Sequence, residues 1–367
     1  MPRALARVNL AAIERNVARL RGELAGETLL CAVVKADGYG HGAAPAARAA
    51  LAGGATWLAV AAAGEATALR AAGVDARLLV MGALTLEELD VALAADADVV
   101  VWREDFIAAV AARGGGRAHV KLDTGMGRLG TRDAAEATRV AEAAATAPGV
   151  ELTAAMTHFA TADEPGDTFF GEQVDRFRAW AEALREAHPG LLLHAANSAG
   201  LLRDRGAHFG MVRAGVAIYG LDPFQRDAAA QRLEPALELL STVAEVKACA
   251  AGESAGYGRR FVAQRDTLLA TIPIGYGDGV RRALTNDCDV LVGGRPFPLV
   301  GTVSMDNVTA DLGADGGGVA RGDEVVLIGP GLPAEAMAER LNTINYEITC
   351  QITARVPRAH HHDGVPA

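Results

Sequence analysis

Residues 29–60 read LLCAVVKADGYGHGAAPAARAALAGGATWLAV and contain the repeating unit from which the first part of the chain is built. An apolar run typical of a buried strand, Leu29–Lys35, precedes a glycine-rich turn, an alanine-rich helical segment and a second apolar run, Thr56–Val60. Because parallel strands need a long crossover between them, and a helix usually supplies it, this order predicts a parallel βαβ unit.

The alternation continues through the first two thirds of the chain, with helical stretches such as Glu87–Ala95 and Thr168–Ala187 between the β-like runs. The eight runs are Leu29–Lys35, Thr56–Val60, Arg77–Met81, Asp98–Trp102, Arg117–Asp123, Val150–His158, Leu191–His194 and Met211–Tyr219. Eight alternating units predict an α/β fold with an N-terminal (β/α)8 TIM-type barrel. A doubly wound open sheet is the competing arrangement, and the helix after Leu191–His194 is expected to be short.

The pattern changes near residue 233. The following β-like runs are punctuated by glycine and proline, and they are Leu239–Lys247, Leu268–Ile274, Asp289–Val292, Val300–Ala310 and Glu324–Ile328. Only Pro333–Leu341 looks helical among them. Since 367 residues are too many for one ordinary core, we predict two domains, a barrel over residues 1–233 and a mainly antiparallel β domain over residues 234–367.

Composition narrows the class of protein. Half of the residues are apolar, 22% are charged and the net charge is −10, which is typical of a globular enzyme and argues against nucleic acid or an anionic membrane as a partner. No secretion signal and no membrane-spanning run is visible, so a cytoplasmic protein is expected. The four cysteines form no CxxC pair, and three adjacent histidines near the C-terminus look incidental, so no metal site is expected.

Lys35 is the first candidate for chemistry, because it ends the first predicted strand. In a parallel barrel the carboxyl ends of the strands face the active site. A lysine that loses solvent there has a lowered pKa and suits Schiff-base chemistry, and glycines at 38, 40 and 42 allow a ligand to approach the backbone closely. From its position alone, Lys35 could also be a lysine at a strand end that extends its amine to solvent and has no catalytic role.

Residues 32–42, AVVKADGYGHG, closely resemble the cofactor-binding signature of the alanine racemases, which are fold-type III pyridoxal 5'-phosphate enzymes. The resemblance implies that Lys35 carries the cofactor and that Tyr39 contacts its phosphate. It also implies interconversion of L-alanine and D-alanine, which supplies D-alanine for peptidoglycan.

Further barrel segments match the family in order. KLDTGMGRLG (121–130) implies that Arg128 contacts the cofactor's phenolic oxygen and the substrate carboxylate, and Lys121 matches a lysine that is carbamylated in some members. MTHFATAD, AANSAG and HFGMVRAGVAIYGL add the implied cofactor-binding residues His158, Asn197, Ser198, Arg213, Gly215 and Val216. Arg213 would face the pyridine nitrogen, which should stay neutral because a guanidinium cannot accept its proton.

The β domain carries the remaining motifs. GESAGYGRRF implies that Tyr257 is the second catalytic base, VGTVSMDNVT implies that Met305 binds substrate through its backbone, and INYEITCQITARVPR implies that Tyr346 contacts the phosphate. By resemblance, Lys35 removes the proton from D-alanine and Tyr257 removes it from L-alanine. The tyrosine would come from the partner subunit, in a homodimer with two composite sites.

The resemblance covers roughly residues 5–358, and its departures, the RRF ending and AlaHis after VPR, touch no residue with an assigned role. Three alternatives remain open at this point. They are a racemase of broader specificity, a fold-type III amino-acid decarboxylase, and a non-enzymatic pyridoxal-phosphate carrier that would resemble the barrel alone.

Overall fold

The computed structural model describes residues 2–367, which form two compact units. One unit comprises residues 13–38 and 43–218, and the other comprises the N-terminal segment through Ala12, residues 39–42 and residues 219–367. The chain begins with strand β1 (Ala4–Asn9) and helix α1 (Leu10–Arg21). Each unit is therefore built from more than one segment of the sequence. The predicted domain boundary between residues 233 and 234 stays a prediction.

The first unit is a closed barrel of eight parallel strands that follow one another in chain order. They are β2 (Leu29–Val33), β3 (Trp57–Val60), β4 (Arg77–Val80), β5 (Asp98–Val101), β6 (Gly116–Lys121), β7 (Val150–Met156), β8 (Leu192–His194) and β9 (Met211–Ala214). Pairing of β9 with β2 closes the cylinder. The predicted TIM-type barrel is confirmed, and the open sheet is excluded.

Helices connect the barrel strands. The first segment, α2 (Lys35–Tyr39), is a turn with a left-handed backbone and not a regular α-helix. The helices are α3 (Ala43–Ala52), α4 (Ala63–Ala71), α5 (Leu86–Ala94), α6 (Glu104–Ala111), α7 (Ala134–Thr146), α8 (Phe169–Ala187) and α9 (Ser198–Arg203). Local signals begin several of them. Thr85, for example, precedes α5 and accepts a hydrogen bond from the Glu88 amide, while Glu88 reaches back to the Thr85 amide. The helix after β8 has six residues, as short as predicted.

The second unit is built on a ten-stranded sheet with the order β11-β14-β17-β16-β15-β18-β10-β1-β19-β20. Its later strands are β10 (Leu237–Thr242), β11 (Glu245–Cys249), β14 (Thr267–Ile272), β15 (Asp289–Val292), β16 (Arg295–Val300), β17 (Val308–Gly313), β18 (Glu324–Ile328), β19 (Arg358–His362) and β20 (Val365–Pro366). A separate pair consists of β12 (Ser254–Ala255) and β13 (Phe261–Val262), and two helices follow, α10 (Ala334–Arg340) and α11 (Asn345–Cys350). Every ladder of the large sheet is antiparallel except β1 with β19, so the mainly antiparallel prediction is confirmed.

Two predicted strands of this sheet are wrong in extent. Leu239–Lys247 is divided between β10 and β11, because the chain leaves an inner position of the sheet at Thr242 and enters its edge at Glu245. Val300–Ala310 contains the end of β16, a loop and the start of β17. The loop starts at Gly301, whose φ of 74° does not continue a strand. Met305 therefore lies on a loop.

No helix among residues 2–367 is long and apolar enough to cross a membrane.

Candidate active site

The turn after β2 has a strained backbone that fixes the end of the strand at Lys35. Residues 36–39 have φ angles of 52°, 52°, 63° and 53° and thus lie in the left-handed region, which costs each residue other than glycine about 1–2 kcal/mol. Hydrogen bonds offset this cost. The Ala36 amide donates to Glu65 Oε1 (2.6 Å), and Asp37 Oδ1 accepts from the Ala43 amide (2.9 Å). Strain of this kind persists where the surrounding structure holds it, typically at functional sites.

Arg213, in β9, is the centre of a hydrogen-bond network inside the barrel unit. Its Nη1 donates to His194 Nδ1 (2.8 Å), and its Nη2 lies within 3.0 Å of three acceptors, Thr157 O, Ala195 O and His158 Nδ1. The guanidinium is 2% exposed. Burial lowers the pKa of Arg213 to about 10, which still leaves it a cation at neutral pH.

Cationic side chains surround His158. Burial, followed by the charges of Arg213, Lys121, Arg128 and Lys35, lowers the pKa of His158 well below its ordinary value, so its imidazole is neutral. Burial and the same arginines lower the pKa of Lys121 to about 8, while Asp123 acts in the opposite direction. Four cationic side chains around a neutral ring form an environment that favours an anionic ligand.

The loop between β6 and α7 presents Arg128. The Asp123 carboxylate accepts hydrogen bonds from the amides of Gly125 and Gly127 at 3.0–3.1 Å and pairs with Arg132 at 3.3 Å. These bonds fold the loop back on the end of β6 and leave Arg128 exposed. Sequence reasoning did not single out Asp123, although an aspartate followed by glycines two and four positions later is a signature of an Asx-type turn.

Ser198 joins two turns that follow β8 and β9. Its Oγ accepts hydrogen bonds from the amides of Gly215 (2.9 Å) and Ala217 (3.3 Å). Asn197 precedes α9 and caps it, with Oδ1 accepting from the Gly200 amide (2.9 Å). The structure thus brings Ser198 and Gly215 together directly, with Asn197 and Val216 as their chain neighbours.

In the second unit, Tyr39 and Tyr346 belong to one aromatic cluster. The Tyr39 ring lies 5.1 Å from Tyr219 and 6.0 Å from Tyr346 between centroids, and His41 stacks on Tyr219 at 4.5 Å. Gly40 makes room for this arrangement, since a Cβ at Gly40 would lie 2.2 Å from the carbonyl oxygen of Thr349. The two tyrosines predicted to contact the phosphate are therefore neighbours.

Tyr257 and Met305 lie on loops of the second unit and are 73% and 51% exposed. Their backbones are fixed, because Thr302 Oγ1 donates to the Tyr257 carbonyl (2.6 Å) and the Gly277 amide donates to the Met305 carbonyl (2.9 Å). Tyr276, whose amide donates to the Ser304 carbonyl, is exposed as well. A group of exposed large side chains indicates an interaction surface, whereas a single one does not.

Family profiles match nearly the whole chain. "Alanine racemase, N-terminal domain" matches residues 8–223, and "Alanine racemase, C-terminal domain" matches residues 236–360. An alanine racemase of Frankia casuarinae is 44% identical over 371 residues, which is 97% of this chain and 96% of that protein. An alanine racemase of Thermobifida fusca is 42% identical and covers 97% of this chain and 98% of its own length.

Solved structures agree. The alanine racemase of Streptomyces lavendulae, a producer of D-cycloserine, superposes with a TM-score of 0.90 at 37% identity and covers 98% of this chain and 97% of its own. The alanine racemase of Bacillus anthracis with bound L-Ala-P gives a TM-score of 0.92 at 35% identity, covering 100% and 97%. These likenesses extend through both units and confirm the family that the motifs indicated. The chain therefore belongs to the alanine racemase family of enzymes.

Proposed function

We propose that this enzyme interconverts L-alanine and D-alanine with pyridoxal 5'-phosphate, by a two-base mechanism that uses Lys35 and Tyr257. The observation that carries the proposal is the cluster of Lys35, Arg213, Lys121 and Arg128 around a neutral His158. It lies at the carboxyl ends of the barrel strands, where barrel enzymes have their active sites.

The residues present fit this cofactor. Lys35 offers a primary amine for covalent attachment of an aldehyde, and the four cationic groups complement the negative charges of a phosphorylated phenol and of a substrate carboxylate. The Ser198 turn, Asn197, Gly215 and Val216 would hold the phosphate side, together with Tyr39 and Tyr346. When bound, pyridoxal 5'-phosphate withdraws electrons from the substrate's α-carbon and makes its proton acidic.

Arg213 would contact the ring nitrogen of the cofactor. A charged guanidinium only donates hydrogen bonds, and Arg213 is held in place by four acceptors. It would therefore favour a ring nitrogen that accepts a hydrogen bond and carries no proton, which would limit electron withdrawal and disfavour transamination and decarboxylation as side reactions.

Racemisation needs a proton removed from one face of the α-carbon and another delivered to the opposite face. Lys35 Nζ would take the proton from D-alanine and Tyr257 Oη would take it from L-alanine, each returning a proton in the reverse direction. Arg128 would hold the substrate carboxylate with parallel N–H donors, and the Met305 backbone would line the substrate site.

The exposure of Tyr257 and Met305 supports a homodimer in which each subunit completes the site of its partner. A two-fold axis would then generate two composite sites per dimer. We further propose that the enzyme acts in the cytoplasm and supplies D-alanine for peptidoglycan.

The test is purification of the chain, a visible spectrum to detect the bound cofactor, and a chiral assay of L- and D-alanine, L-serine, L-ornithine and L-lysine. We expect a bound chromophore and racemisation of alanine at the highest kcat/KM. Release of carbon dioxide from ornithine or lysine, or a bound chromophore without racemisation of any of these amino acids, would exclude the proposal.

A further inference from the structure

A line of four polar side chains runs through the interior of the barrel unit. Asp98 is the first residue of β5, His119 lies in β6, His194 ends β8 and Arg213 lies in β9. None of the four side chains is more than 2% exposed. Branched apolar residues usually fill a barrel interior, and buried charged groups are rare unless they are paired, so this line requires an explanation.

Each of the four side chains lies within hydrogen-bond distance of the next. Asp98 Oδ2 lies 3.0 Å from His119 Nε2, and His119 Nδ1 lies 2.9 Å from His194 Nε2. His194 Nδ1 lies 2.8 Å from Arg213 Nη1. The line therefore extends from the amino end of β5, outside the cluster around His158, to the guanidinium that faces that cluster.

The position of every proton in the line follows from its two ends. Arg213 can only donate, so His194 Nδ1 must accept, and a neutral His194 then has its proton on Nε2. That proton is donated to His119 Nδ1, which leaves the His119 proton on Nε2, directed at the Asp98 carboxylate. A carboxylate only accepts, so the line is consistent from one end to the other.

The charges support this assignment. Burial alone would raise the pKa of Asp98, but hydrogen bonds from His119, Arg117 and Arg77 lower it below its ordinary value, so Asp98 is ionised. Burial, followed by the charge of Arg213, lowers the pKa of His194 well below its ordinary value, so this ring is neutral.

We propose that Asp98, His119 and His194 are positioning residues that act in series to fix the orientation of Arg213 in the active site. If His194 took the other tautomer, its Nδ1–H would face a guanidinium N–H, and two donors would meet in a buried site. The carboxylate of Asp98 prevents this by selecting one tautomer for both rings. The effect on catalysis depends on the proposed function, whereas the arrangement of protons does not.

A purely structural role for Asp98 is the competing explanation, because Arg117 and Arg77 also pair with it. Arg117 and His119 contact different oxygens of Asp98. Arg117 Nε contacts Oδ1, while His119 Nε2 and Arg77 Nη2 contact Oδ2. Arg117→Gln is therefore a matched control that removes an ion pair and leaves the line intact.

The experiment measures ¹⁵N shifts of the histidine rings in selectively labelled holoenzyme, with His119 and His194 assigned from single substitutions. We expect both rings to be neutral with the proton on Nε2. In Asp98→Ala we expect mixed tautomers at both rings and a kcat about tenfold lower, the lower end of the range known for the loss of partners that orient metal-binding side chains. Asp98→Asn keeps a single acceptor oxygen, and because Arg117 and Arg77 contact Oδ1 its amide NH2 should face His119 Nε2. We therefore expect this variant to move the His119 proton to Nδ1 and to lower kcat as well.

The control Arg117→Gln should keep the parental tautomers and kcat even if it melts at a lower temperature. A proton on Nδ1 of either ring in the parental enzyme, or a positively charged ring, would overturn the proposal, and this readout needs no variant to fold. Equal kcat losses in Asp98→Ala and Arg117→Gln without a change of tautomer would also overturn it. Absence of racemase activity in the parental enzyme would refute the proposed function. The ¹⁵N spectra would still show which nitrogen of His119 and of His194 carries the proton.

Discussion

The two units present their site residues in opposite ways. In the barrel unit, Arg213 and Lys121 are buried, and Arg213 has four hydrogen-bond acceptors. In the second unit, Tyr257 and Met305 are 73% and 51% exposed, although their backbones are anchored. One unit holds a cluster of buried, hydrogen-bonded side chains, whereas the other exposes its side chains on anchored loops.

This difference in burial predicts two different consequences of substituting a residue. A buried, hydrogen-bonded group contributes to folding as well as to chemistry, so its removal should affect both. An exposed side chain contributes little to the stability of its own chain. Its removal should affect activity alone, or activity and the association of subunits.

The largest effect is expected for Lys35→Ala. It would remove the proposed covalent anchor and one of the two proposed bases, and we expect kcat to fall by at least about 10⁴-fold. Borohydride reduction followed by peptide mass spectrometry should place the cofactor on Lys35 in the parental enzyme and on no residue in the variant. The chain has only two other lysines, Lys121 and Lys247, and the exposed Lys247 provides the control Lys247→Ala, which should label and react normally. Labelling of Lys247, or a rate within tenfold of the parental rate in Lys35→Ala, would contradict the assignment.

Tyr257→Phe is the corresponding change in the second unit, with a somewhat smaller expected effect. Loss of a general base should lower kcat by about 10²–10⁴-fold, while the free energy of unfolding should change by less than about 0.5 kcal/mol because the side chain is exposed. Exchange of the α-proton in deuterium oxide distinguishes the two bases. We expect the variant to retain exchange of D-alanine through Lys35 and to lose exchange of L-alanine. Equal losses for both enantiomers would refute the division of roles.

The barrel was predictable because most of its strands are short, mainly apolar runs and helical segments separate them. Prediction failed in the second unit at Val300–Ala310, where apolar residues continue through a turn that Gly301 introduces. Apolar content in a β-rich stretch does not reveal where the chain changes strands, because that depends on the order of strands in the sheet.

The candidate site also contains residues that the sequence revealed and residues that it did not. Motifs identified the residues that ligands are expected to touch, such as Lys35 and Tyr257. They did not reveal Asp98 or His194, whose importance comes from contacts across 19 to 75 positions of sequence. Nor did they show the left-handed backbone at Ala36, since alanine has no preference for that conformation.

Gly40→Ala tests whether the aromatic cluster of the second unit is as tightly fixed as the barrel network. A Cβ there would lie 2.2 Å from Thr349 O, and φ is +84°, so we expect a loss of at least about 3 kcal/mol in the free energy of unfolding. Gly252→Ala is a matched control, because φ is +87° but no atom lies within 4 Å of the added Cβ. That control should lose only about 1–2 kcal/mol. Equal losses by urea unfolding would show that backbone conformation, not packing, is the reason for Gly40.

The smallest effect is a pH dependence of stability that belongs to the barrel unit. Burial lowers the pKa of His119, His158 and His194 from the ordinary value of 6.5. Below about pH 6.5 the unfolded chain therefore binds protons that the folded barrel excludes, and stability falls as the pH decreases. Each ring contributes to this fall until its own folded pKa is reached, with a slope of at most about 1.4 kcal/mol per pH unit. The pKa of Asp98 is lowered as well, so its contribution is lost only at pH values below the ordinary carboxyl range and does not distort this window. Urea unfolding at fixed protein concentration between pH 6.5 and 5.5 measures the slope, and His194→Gln should make it smaller because one of the three rings is lost. If His194→Gln leaves the slope unchanged, the buried ring of His194 accepts a proton as readily in the folded barrel as in the unfolded chain. The burial that distinguishes the barrel unit from the second unit would then have no effect on the protonation of His194.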